Sequence, residues 1–220
     1  MIVPLHLDDW LVVADKPAGL LSVAGRGPAG EDCLHARVRR QWPDALVVHR
    51  LDMATSGLIV FARNLEAQRT LSRAFASREV DKRYVAVVAG VPRPMDPDAD
   101  GWSGIDLPLA ADWPARPQQK VDAVHGRPSL TRWRAIGDAP GPWGVGTLLE
   151  LEPVTGRSHQ LRVHLAAIGH PVVGDALYAP EPLARAASRL LLHAERLALA
   201  HPADGRRLSW RSGAPFREGG

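Results

Sequence analysis

Apolar residues fall in short runs separated by dense polar turns, a pattern that predicts many strands and few helices. Trp10-Leu11-Val12-Val13-Ala14 reads as a short strand, and Pro17 and Gly19 turn the chain after it. Val47 and Val48 lead into a polar stretch, after which Leu58-Ile59-Val60-Phe61-Ala62 is apolar without a break and reads as buried strand. Residues 80–90 begin polar and become continuously apolar from Val85, a further strand. Ser129–Ile136, Gly146–Pro153, Leu190–Ala194, Arg196–Ala200 and Arg206–Trp210 complete the set.

Helical spacing occurs in three places. Over Glu31–Gln41, Leu34 and Val38 share a face and Trp42-Pro43 stops the helix. Over Leu65–Arg78, capped by Asn64, the buried stripe is Leu71, Ala74 and Phe75, while Arg69, Arg73 and Arg78 read as a solvated face. From Thr155 or Ser158 onward, Leu161, Leu165 and Ile168 share a face, and Gly169 and Pro171 end the helix. The prolines crowded between 91 and 128 argue for extended loops and short edge strands in place of a second core. No internal repeat is visible. The predicted class is α+β, a largely antiparallel mixed sheet flanked by helices, with the site in a cleft along it.

The 220 residues, 45% of them hydrophobic, suffice for one sizeable core, so one domain spanning 1–220 is expected. Lys and Arg number 27 against 24 Asp and Glu, a formal +3, which permits an RNA partner without demanding one. Cys33 is the sole cysteine, which excludes an internal disulfide and a cysteine-rich zinc site. The N-terminus lacks the basic and apolar blocks of a signal peptide, and no run approaches a membrane span, so no membrane partner and a cytoplasmic location are expected. The glycines of residues 24–30 lack a P-loop lysine and read as a surface loop.

Chemistry concentrates in two stretches. In His49-Arg50-Leu51-Asp52-Met53-Ala54-Thr55-Ser56-Gly57 a carboxylate is held between strand-like segments, where it needs a partner such as Arg50, Thr55, Ser56 or backbone amides. The same stretch also fits a turn whose Asp caps the backbone, and alone it does not choose. In the second stretch Arg162 lies at the border of a buried helical stripe, where a cation wants a carboxylate. Tyr84 sits in a strand where its hydroxyl can reach a polar site, although a strand tyrosine is ordinarily core. Trp113 with Arg116 and Lys120 combines an aromatic platform with cations, suited to looped RNA, or Trp113 covers the core edge. No H-E-x-x-H, paired zinc-ligand spacing or G-x-S-x-G occurs, so no metal site or serine hydrolase is expected.

Three motifs in order resemble the pseudouridine synthases related to ribosomal large subunit pseudouridine synthase A. H-R-L-D-x-x-T-S-G-L matches His49–Leu58, K-x-Y-x-A-x-V-x-G matches Lys82–Gly90, and G-R-x-H-Q-L-R-V-H-L matches Gly156–Leu165. Asp15–Leu20, Gly174-Asp175, Leu192-His193-Ala194 and His201-Pro202 extend the likeness over nearly the whole chain. Met53-Ala54 and Asp112–Pro117 look like the synthase A branch, which accepts large-subunit rRNA and the anticodon stem-loop of certain tRNAs. The resemblance implies an RNA pseudouridine synthase without cofactor, with Asp52 as catalytic carboxylate, Arg162 as its ion partner and Tyr84 against the target base. It further implies rRNA or tRNA stem-loops as partners of a monomer without an N-terminal S4-type domain. Arg50, His49, Thr55, Arg116 and Lys120 are the expected RNA contacts, with Arg50 filling the place of a uridine that has left its stack. Two other readings make distinct demands. A non-catalytic RNA-binding module predicts loss of Asp52, Tyr84 or Arg162, and all three are present; an aspartate-nucleophile glycosidase wants a second carboxylate, which the signature lacks.

Overall fold

A computed structural model describes residues 1–25, 27 and 30–217. Arg26, Pro28 and Ala29 of the glycine-rich loop lie outside the described residues, as do 218–220. The elements of the first half are β1 (His6–Leu7), β2 (Leu11–Lys16), α1 (Leu34–Arg39), β3 (Leu46–Val47), β4 (Ser56–Ala62), α2 (Leu65–Ala76) and β5 (Asp81–Ala89). There follow β6 (Ser103–Asp106), β7 (Leu109–Ala111), β8 (Gln119–Val121), β9 (Leu130–Asp138) and β10 (Gly146–Pro153). The chain ends with α3 (Gln160–Ala167), α4 (Glu181–Ala184), β11 (Leu192–Ala200) and β12 (Arg207–Arg211).

The chain divides into two compact units, one of Met1–Lys82 with Ala194–Ala214 and one of Arg83–His193 with Pro215–Gly220. In both the strands are mostly antiparallel and flanked by few helices, and neither closes into a barrel.

In the first unit β2 pairs antiparallel with β1 and β4, β3 pairs β4, and β12 pairs β11. The unbroken apolar run of β4 is explained by burial on both faces. Leu58, Val60 and Ala62 pack with Leu11, Val13 and the α2 residues Ala67 and Leu71, whereas Ile59 and Phe61 pack with Val12, Ala14 and the α1 residues Leu34 and Val38. Period-2 alternation thus survives as a choice between two apolar layers instead of between core and water. Both helices are capped by the side chain that precedes them: Asn64 Oδ1 accepts from Ala67 N–H at 2.8 Å, and Cys33 Sγ accepts from Ala36 N–H at 3.4 Å.

In the second unit β10 lies between β5 and β9, and β6 pairs the far side of β9. The Pro-rich segment forms β6 and the ribbon β7–β8, in keeping with short edge strands, and β8 lies against α3. The helix predicted from Thr155 or Ser158 begins only at Gln160, because Thr155 and Gln160 bond each other instead of the helix end. Gln160 Oε1 accepts from Thr155 Oγ1 (2.7 Å) and Arg157 N–H (3.1 Å), and its Nε2 donates to Leu130 O and Thr131 Oγ1. Residues 160–165 of α3 are all buried, so the helix is not amphipathic in the predicted sense; its polar members are hidden because each is bonded.

Candidate active site

The signature loop hangs between β3 and β4 of the first unit, and its backbone is fixed on both sides of Asp52. Ser22 Oγ donates to Leu51 O at 2.7 Å and accepts from Leu51 N–H at 3.0 Å, closing a two-way bond on the residue before Asp52. Behind Asp52, Met53 O accepts from Lys16 Nζ (3.0 Å) and Gly19 N–H (2.8 Å). Asp52 O accepts from Thr55 N–H at 3.1 Å, which folds Met53-Ala54 into a tight turn. Lys16 is completely buried, and its ammonium also donates to Pro17 O and Leu20 O. A buried cation on three carbonyls is costly to form and correspondingly hard to displace. Asp52 itself is half-buried.

The other signature residues divide by exposure. Arg50 is exposed, and Thr55 and Ser56 are buried. The His49 ring stacks on Phe75 with centroids 4.4 Å apart, and its Nε2 accepts from Val60 N–H at 3.0 Å. Burial, with the Lys82 charge nearby, pushes the His49 imidazole down to about 3, so it is neutral at physiological pH and carries its proton on Nδ1. Gly57 explains why the motif needs glycine: its φ is +113°, and a Cβ there would stand 2.4 Å from the Ala194 carbonyl oxygen of β11.

In the second unit Arg162 is 4% exposed and finds the carboxylate that its position demands in Asp175, itself fully buried. Nε donates to Oδ2 at 2.7 Å and Nη2 to Oδ1 at 2.6 Å, a bidentate fork. Asp175 Oδ1 also accepts from Leu177 and Tyr178 N–H, and the Tyr178 ring lies 5.0 Å from the Arg162 guanidinium carbon. Asp175 and Tyr178 were not singled out from sequence as site residues; the only signal was the Gly174-Asp175 turn. Gly174 is obligatory in that turn, with φ +77° and the Arg189 carbonyl oxygen 2.0 Å from where a Cβ would sit. Tyr84, on β5 opposite Leu151 of β10, is half-buried.

Trp113 is 65% exposed, so it does not cover the core edge. The Arg116 guanidinium lies over its ring at 4.2 Å, and Lys120, at the start of β8, is exposed as well. The hairpin loop therefore presents an aromatic face and two cations to solvent. Among the described residues no group of His, Cys, Asp and Glu could hold a metal ion, and no helix is long and apolar enough to cross a membrane.

The model of the RNA pseudouridylate synthase family matches residues 10–167. The chain belongs to this family. As an RNA pseudouridylate synthase it is an RNA-modifying isomerase, and the matched span takes in the Asp52 loop, Tyr84 and Arg162, while Asp175 and Tyr178 lie beyond it. The dual-specificity RNA pseudouridine synthase RluA of Escherichia coli K12 is 48% identical over 98% of this chain and 94% of that protein. Its counterpart in Yersinia pestis is 44% identical over 98% of this chain and all of that protein. The structure of human RNA pseudouridylate synthase domain containing 1 superposes with a TM-score of 0.80 at 26% identity, over 98% of this chain and 84% of that one.

Proposed function

We propose that this RNA pseudouridine synthase uses Asp52 as its catalytic carboxylate and acts on large-subunit rRNA and on the anticodon stem-loop of tRNA. The observation that carries the assignment of Asp52 is the backbone clamp around it: the bonds from Ser22, Lys16, Gly19 and Thr55 all converge on residues 51–53. A turn whose Asp merely capped its own backbone would not need a buried ammonium and a buried hydroxyl from 37 and 29 residues away. The dual targets rest on the 48% identity to the enzyme named for dual specificity and on Met53-Ala54 and Asp112–Pro117.

Isomerisation breaks the bond from C1′ to N1, the uracil leaving with the bonding pair, and makes one from C1′ to C5, after which the C5 proton is lost. Ionised Asp52 either adds to C1′ or removes the C2′ proton so that a glycal forms. Arg162 is the cation that keeps it ionised; the fork on Asp175 fixes the guanidinium plane, which carries three further N–H donors. Tyr84 stacks on the detached uracil and its hydroxyl assists proton loss from C5. Arg50 fills the vacated stack, His49 and Thr55 hold the loop that presents it, and Arg116 and Lys120 grip the stem-loop. The chain, residues 1–220, serves as a single catalytic domain in a cytoplasmic monomer.

Tritium release from C5-labelled uridine tests the proposal in transcribed rRNA fragments and tRNA stem-loops. Release is expected from both RNAs and is expected to vanish in Asp52→Asn. Undiminished release by Asp52→Asn would remove Asp52 from the chemistry, and release from only one RNA would refute dual targeting.

A further inference from the structure

We propose that Tyr178 is a positioning residue that ties the RNA-gripping hairpin to the helix carrying Arg162, so that one phenol sets both the grip and the guanidinium. The inference rests on the reading that the Trp113–Lys120 segment touches RNA.

Tyr178 stands in the turn after Asp175 and reaches three ways. Its ring lies against the Arg162 guanidinium at 5.0 Å. Its hydroxyl accepts from Gln119 N–H at 2.8 Å and bonds His159 Nδ1 at 2.6 Å. With Gln119 N–H on one lone pair, the phenol keeps a second lone pair and its hydrogen for the bond to His159 Nδ1. Its own N–H donates to Asp175 Oδ1, the oxygen that also takes Arg162 Nη2.

Gln119 is the first residue of β8, directly after the loop of Trp113 and Arg116. A two-stranded ribbon such as β7–β8 is marginal alone, and its outer edge leaves N–H groups without a ladder partner. The Tyr178 hydroxyl supplies that partner at the base of the loop. His159 precedes α3 with φ +55°, a left-handed backbone rare outside glycine, and its ring meets Tyr178 edge-on at 5.6 Å. A non-glycine residue keeps that conformation where surrounding contacts over-determine it, and the phenol is one such contact. Hairpin, Tyr178, Asp175 and Arg162 thus form one continuous set of bonds within the second unit.

Steady-state tritium release from an anticodon stem-loop, with amide exchange at Gln119, tests the tie in Tyr178→Phe, Tyr178→Leu and Arg116→Ala. Tyr178→Phe keeps the ring over Arg162 and loses the hydroxyl. It is expected to raise KM roughly five- to tenfold with kcat within about twofold, and to speed Gln119 exchange by about tenfold or more. Tyr178→Leu, which also loses the ring, is expected to lower kcat by about tenfold in addition. A Tyr178→Phe protein with unchanged KM, while Arg116→Ala raises KM, overturns the tie and leaves the hairpin reading intact. So does a fall in kcat alone, the mark of a smaller folded fraction. If Arg116→Ala leaves KM unmoved, the hairpin reading fails on its own variant.

Discussion

The proposed role of Asp52, meeting a single sugar carbon, would gain from a backbone that cannot drift, and Ser22 is the residue through which this can be tested most cleanly. The residue is 3% exposed, and its hydroxyl satisfies both backbone groups of Leu51. Ser22→Ala leaves a buried N–H and C=O without that partner, so a loss of about 1–3 kcal/mol is expected by urea denaturation. If the clamp also aims Asp52, single-turnover release should slow by about tenfold or more in the folded variant. Equal destabilisation with an unchanged chemical rate would reduce Ser22 to a structural role. Asp52 stood out as a candidate because its motif is local: an acid, hydroxyls and a glycine crowd one turn. Ser22 and Lys16 did not, because their meaning lies in bonds to carbonyls 29 and 37 residues away, and neither spacing nor residue type announces such a bond. Arg162 was read at a stripe border in need of a carboxylate; the need was legible, but Asp175, 13 residues on, was not identified as its fork partner.

At the scale of the elements, apolar pattern located most strands but misjudged where they break. The runs 190–194 and 196–200 join in one strand, β11 (Leu192–Ala200), because Glu195 does not interrupt it: its side chain is 9% exposed and faces Arg211 at 3.5 Å. Likewise α3 was recognised by Leu161 and Leu165, yet Gln160, Arg162 and His164 are equally buried, since hydrogen bonds hide polar groups that a hydropathy pattern assigns to water. His164 shows the consequence: burial pushes its imidazole down, and its nitrogens engage Thr131 Oγ1 and Leu107 O. The β1 strand has only two residues and left no period to read. The close approach of β11 to its sheet neighbour β4 gives the strictest requirement on sequence at this level. A methyl at Gly57 would penetrate the Ala194 backbone, whose nitrogen and carbonyl oxygen both lie within 2.6 Å of the Cβ position, and the residue's own φ of +113° adds strain. Gly57→Ala is therefore expected to lower stability by about 3 kcal/mol or more, read from the denaturation midpoint. An unshifted midpoint would mean that β11 yields easily and that the glycine serves something other than this close approach.

Stability of the whole molecule should fall in mild acid, and the group responsible is His49 more than any carboxylate. In the folded chain its imidazole is pushed from 6.5 down to about 3 by burial and by Lys82. The unfolded chain takes up this proton below about pH 6.5 while the folded chain resists until about pH 3, so stability is complete above 6.5 and declines as pH falls through that window. One proton of difference gives a slope of at most about 1.4 kcal/mol per pH unit. Asp8 acts in a lower window. Burial pushes its carboxyl up, but bonds from His6, Trp10 N–H, Leu11 N–H and His201 outweigh this and bring it to about 2, so its contribution, present above 3.8, is lost only as pH falls toward 2. Buried His164, whose imidazole is also pushed down, contributes in the same window as His49, so urea denaturation between pH 7 and 4 isolates His49 only as the difference between wild type and a His49 variant. His49→Gln has no proton to gain, and its curve of stability against pH should be shallower than wild type by up to that slope, though it starts lower because the Phe75 stack is lost. Parallel curves for the two proteins would show that His49 titrates normally in the folded chain, and would undo the assignment of its Nε2 as a permanent acceptor for Val60.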